Sequence, residues 1–104
     1  MAPAAEVVVS ELVTNAVRAQ KRRRIPTPVG VRLLADPVWL AVEVWDCVQA
    51  APQIQQPDIA RELNSGGDSD GHGNGLVVVA AFSNQWGYFW RPDGGKVVFA
   101  LFAL

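Results

Sequence analysis

Two runs of alternating residues constrain this chain most. Val29, Val31 and Leu33, then Val38, Leu40, Val42 and Val44, place an apolar side chain at every second position, and Ala35-Asp36-Pro37 lies between the runs. Period-two alternation puts those side chains on one face of an extended chain, so the pair predicts an antiparallel hairpin. A hairpin with one apolar face must be covered to be stable. The preceding segment offers the cover. From Glu6 to Arg18, Val9, Leu12, Val13, Ala16 and Val17 recur every three to four residues, which predicts an amphipathic helix. Between Gln20 and Pro28 a basic cluster and two prolines end that helix.

The second run closes at Trp45-Asp46, and from there to about Gly75 the sequence is rich in Gln, Pro, Ser, Gly, Asp and Asn. A short helical piece fits Asp58 to Leu63. The stretch from Asn64 to Gly75 reads as a long Gly-rich loop, whose natural role is a lid. Leu76 to Phe82 is then apolar and of helix length. Trp86 to Trp90 reads as a strand, Arg91 to Gly95 as a turn and Val97 to Leu104 as a closing strand. Helix, two strands, lid, helix and two strands give an α+β fold, a two-layer α/β sandwich with helices on one face of a mostly antiparallel sheet. At 104 residues the expectation is one domain spanning 1–104.

Composition narrows the function. Half the residues are apolar and 18% are charged, which is a globular balance. A net charge of −1 gives no overall drive toward nucleic acid or anionic membrane. The single cysteine, Cys47, cannot form an internal disulfide, and no charged-then-apolar leader opens the chain, so the expected setting is the cytoplasm. The apolar run Leu76–Phe82 is too short to span a bilayer.

Three groups of residues carry chemistry. Glu11 and Asn15 are one turn apart on the same helix face, so they can meet one ligand. A carboxylate can take a proton from a hydroxyl, and an amide oxygen is a hard ligand suited to Mg²⁺ carrying phosphates. The same spacing also describes a solvated surface pair. Asp46 stands where an apolar strand meets a loop, a position from which a buried carboxylate can accept from a purine amino group; a turn-forming aspartate is the plainer account. Gly71-His72-Gly73-Asn74-Gly75-Leu76 feeds a Gly-rich loop into a helix start, where free N–H groups can bind phosphate. A glycine linker has the same composition. The spacing is neither the dinucleotide fingerprint nor a P-loop.

Taken together and in this order, the three groups resemble the GHKL ATPase and kinase superfamily shared by gyrase, histidine kinases and mismatch-repair ATPases. Ser10-Glu11-Leu12-Val13-Thr14-Asn15-Ala16-Val17 looks like the N-box of the anti-sigma-factor serine kinases. Val44-Trp45-Asp46 through Pro52 is similar to their G1 box, Gly73-Asn74-Gly75-Leu76 to their G2 box, and Trp86-Gly87 and Gly95-Lys96 to their closing strands. The resemblance implies a GHKL (Bergerat) fold with a mixed, mostly antiparallel sheet, from which the first strand and helix of the family pattern are absent. It implies that Asn15 holds Mg²⁺, Glu11 is the general base, Asp46 binds the adenine amino group, and Gly71, Gly73, Asn74, Gly75 and Leu76 form the phosphate end. It further implies ATP as ligand, serine/threonine kinase activity, and a sigma factor and an anti-sigma-factor antagonist as partners. Shortening at the amino end would leave a sheet edge bare and favour a homodimer. Where the family usually has a small or polar residue two positions after the G1 aspartate, this chain has Val48; where it often has threonine after Gly-Lys, this chain has Val97. Both changes are expected to remove a polar group near the adenine pocket. The alternative reading is a non-catalytic interaction module that keeps the fold and binds nucleotide weakly or not at all.

The remaining motifs have plain readings. Arg18 and Lys21 to Arg24 suit a solvated helix carboxyl end, where cations are favoured, rather than a nucleic-acid contact. His72 and Cys47 are too few for a metal site. Trp39, Trp45, Trp86 and Trp90 are expected to pack on the sheet, with any exposed subset available to a partner.

Overall fold

The computed structural model describes residues 3–52 and 75–104. Helix α1 spans Pro3–Arg22, strands β1 and β2 span Gly30–Ala35 and Trp39–Asp46, helix α2 spans Gly75–Phe82, and β3 and β4 span Gln85–Trp90 and Lys96–Ala103. The four described strands form one sheet in the order β1-β2-β4-β3, and every described pairing is antiparallel. This is the expected α+β, GHKL-like arrangement. Helix α1 is longer at both ends than the apolar stripe alone indicates. The expected piece at Asp58–Leu63 and most of the expected lid lie outside the described residues.

One face of the sheet carries the helices. Ala5, Val8, Leu12 and Ala16 of α1 are buried on Val42 and Val44 of β2 and on Val98, Ala100 and Phe102 of β4, with Val79 of α2 joining them. Full burial of a side chain such as Leu12 is worth about 1.5–3 kcal/mol. Helix α1 lies mainly over β2, and α2 packs beside it. The buried stripe of α1 runs on to Gln20, which is 4% exposed.

The other face has no helix among the described residues. Aromatic side chains cover part of it from within the sheet: Trp45 lies over Gly30 and Phe99 over Gly87, where a Cβ would strike each ring. Arg32 Nε donates to Glu43 Oε1 at 2.7 Å across β1 and β2 on this face. Trp39 and Trp90 are exposed, whereas Trp86 packs against the core, so only part of the tryptophan set is interior. No helix of the described residues is long and apolar enough to cross a membrane.

Local chemistry sets the connections. The carboxyl end of α1 closes as a Schellman motif: Ile25 N–H donates to Gln20 O at 2.9 Å and Arg24 N–H to Lys21 O at 3.1 Å, with Arg24 at φ 54°. The charges of Lys21 to Arg24 stay exposed, as expected of a solvated cap. In the β1–β2 turn, Asp36 Oδ1 accepts from the N–H groups of Val38 and Trp39, both at 2.7 Å. Those bonds, from Trp39 and then Val38, hold the Asp36 carboxyl below its ordinary pKa.

Candidate functional site

The site is assembled at the end of β2. Alternation along that strand sends Val42, Val44 and Asp46 toward the helices, so the carboxylate arrives in the helix layer with the apolar residues that precede it. Asp46 is 2% exposed. A charge this dry needs partners. Val48 N–H donates to its Oδ1 at 2.8 Å, and Lys96 Nζ stands 3.0 Å from the same oxygen. Lys96 is the Cα partner of Asp46 in the β2–β4 ladder, and its side chain is 5% exposed.

Two further residues hold this corner in place. Gly95 precedes Lys96 at φ 80°, and a Cβ there would collide with the Asp46 carbonyl oxygen, so a side chain at 95 would force the strand apart. Gln20 reaches in from the last turn of α1. Its Oε1 accepts from Cys47 N–H at 2.9 Å, and its Nε2 donates to Thr27 O. One amide therefore ties the helix, the connection after it and the residue following Asp46. Sequence reasoning passed over Gln20 and gave Lys96 no role. The signals were present: Gln20 continues the 8, 12, 16 spacing, and counting back by twos from Phe102, Ala100 and Val98 reaches Lys96.

Glu11 and Asn15 are half-buried on the flank of α1 beside its core stripe. Among the described residues neither side chain has a hydrogen-bond or ion-pair partner. Asn15 precedes the Gln20 anchor by about 7.5 Å of helix axis and Glu11 by about 13.5 Å, at 1.5 Å per residue. Both thus stand in the layer that Asp46 faces. Gly75 is the first residue of α2, Leu76 follows within it, and Gly71, Gly73 and Asn74 lie outside the described residues.

The two substitutions thought to strip polarity from the pocket differ. Val48 is buried beside Asp46 and lends it a backbone donor. Val97 pairs with Trp45 and Phe89 on the opposite face of the sheet, so it removes nothing from the side Asp46 faces. The polar character there is decided one residue earlier, by Lys96.

The amide oxygen of Asn15 fits Mg²⁺ arriving on phosphates, since that ion favours one or two protein oxygens with the rest of its shell from water and phosphate. No group of three or more metal-ligating side chains occurs among the described residues. A helix layer on one face of an antiparallel sheet, with a buried acid at the end of a central strand, is the architecture of a GHKL-type ATPase domain. The family model described as the histidine kinase-like ATPase domain matches residues 2–101, and the chain belongs to that family. Its ligand by family is ATP. No curated protein and no solved structure matches the chain.

Proposed function

We propose that this chain is a Mg-ATP-binding regulatory protein of the anti-sigma-factor kinase type, which transfers the γ-phosphoryl group to a serine or threonine of an antagonist protein and also binds a sigma factor. The observation that carries the reading is the Glu11–Asn15 pair, unengaged among the described residues, on a helix whose last turn is bonded next to Asp46. In this reading Asn15 supplies an oxygen to Mg²⁺, Asp46 marks the base end of the pocket, and Gly71, Gly73, Asn74, Gly75 and Leu76 line the phosphate end. Mg²⁺ would neutralise phosphate charge there. Glu11 takes the proton of the acceptor hydroxyl as that oxygen bonds to the γ-phosphorus, and ADP leaves. The setting is the cytoplasm, in one domain.

The Glu11→Gln variant separates binding from transfer. It keeps the side chain's shape and cannot take a proton, so calorimetry should show ATP binding unchanged while transfer falls by roughly 10²–10⁴-fold. Asn15→Ala should weaken both. Full turnover in Glu11→Gln would remove the base assignment.

A second reading is favoured by the Asp46–Lys96 pair, which engages the carboxylate internally. It is a non-catalytic interaction module with the same fold and weak nucleotide binding. Absence of transfer from the wild type to any partner would select it.

A further inference from the structure

We propose that Lys21, Arg22 and Arg24, at the carboxyl tip of α1, form a docking surface for an acidic segment of a partner protein. The inference rests on the fold and not on the nucleotide reading, so it is tested without nucleotide. A helix end favours a cation because its last carbonyls carry partial negative charge. One residue meets that need: Arg23 Nη1 donates to Ala19 O at 3.4 Å. Lys21, Arg22 and Arg24 are exposed, and among the described residues none of these three side chains has a hydrogen-bond or ion-pair partner. Like charges held this close repel one another, a cost that an anionic partner offsets.

Arg24 adds an independent sign. It follows the helix end at φ 54°, in the left-handed region. Glycine takes that conformation freely and is the usual residue in this motif, whereas a longer side chain is strained there. The chain keeps a guanidinium where the backbone favours its loss, and strain retained at an exposed position points to what the side chain contacts. The tip is also fixed in place: Ile25 N–H donates to Gln20 O, and the Gln20 amide bonds Cys47 N–H and Thr27 O. A preset pair of guanidinium forks suits carboxylates, which they can grip through two parallel hydrogen bonds. The class of partner follows from the rest of the surface. A nucleic acid needs cations spread along a track, and Arg32, Arg91 and Lys96 are each already paired with a carboxylate of this chain. The unspent charge is confined to one tip, which matches a few clustered carboxylates.

Fluorescence anisotropy at low ionic strength tests this, with labelled hexaglutamate, hexaglutamine and an oligothymidylate of like length as probes. The wild type should bind hexaglutamate in preference to both others. Changing Lys21, Arg22 and Arg24 together to Gln should weaken that binding by about tenfold or more, and Arg23→Gln by less than about twofold. Arg24→Gly is the sharpest variant. Its melting temperature should rise, because the left-handed strain is relieved, while hexaglutamate binds about threefold more weakly. A purely structural role would not move stability and binding in opposite directions. The proposal is overturned if hexaglutamate binds no better than hexaglutamine, if the oligothymidylate binds more tightly than the acidic peptide, or if a folded triple variant binds hexaglutamate as the wild type does. Should the triple variant fail to fold, Arg24→Gly decides alone, and unchanged binding there overturns the proposal. None of these outcomes bears on ATP binding.

Discussion

The two ends of strand β2 reverse the usual rule. At the hairpin end, Trp39 is 42% exposed and its neighbours Val38, Leu33 and Leu34 are wetter still; at the far end, Asp46 is 2% exposed. Within the eight residues of β2, the tryptophan at one end is wet and the aspartate at the other is dry. The difference follows from what lies overhead. Helix α1 runs above β2 and anchors through Gln20 at the Asp46 end, whereas no helix among the described residues packs substantially on β1. Face and position under the helix decide burial here: Trp39 and Leu34 point to the helix-free face, and Leu33, on the helix face, lies on β1 beside the covered strand. A dry ion pair is a poor way to gain stability.

The contrast predicts unequal sensitivity. Asp46→Ala leaves the Lys96 ammonium buried without its partner, so urea unfolding should show a loss of about 3–5 kcal/mol. Replacing both, Asp46→Leu with Lys96→Met, should recover most of it, because a well-packed apolar pair of similar volume is often neutral. If the double variant is as unstable as the single, the cost lies in packing rather than charge. Gln20→Ala comes next: it orphans Cys47 N–H and Thr27 O in a part-buried setting, for an expected loss of about 1–3 kcal/mol by the same measurement. Leu33→Thr at the hairpin end should move stability by no more than about 0.5 kcal/mol. A large loss there would mean that β1 is covered in solution, and would break the comparison.

The same contrast separates what the sequence could reveal from what it could not. Alternation in 29–44 and the 3.6 period of α1 carry element type, order and facing, because each is a local property of the chain. The hairpin break at Asp36 was legible for the same reason, since that side chain bonds the backbone two and three residues on. Glu11, Asn15 and Asp46 stood out through spacing and resemblance. Lys96 did not, because its meaning depends on which residue of β2 it faces, fifty positions away, and that is a matter of register between strands. Val97 was misplaced by the same one-residue ambiguity, which flips every side chain of a strand to the other face.

The Gln20 amide has a consequence for the order in which the molecule assembles. Its bond to Cys47 spans 27 residues and needs a finished helix end, a finished hairpin and the right rotation of one about the other. Closing so large a loop brings entropy losses before the bond forms, so it belongs to the late, downhill side of the folding barrier. Cutting it should leave the refolding rate nearly unchanged and hasten unfolding. The amide thus acts as a latch: it does not help the chain find its shape, but it lengthens the time the corner around Asp46 stays shut.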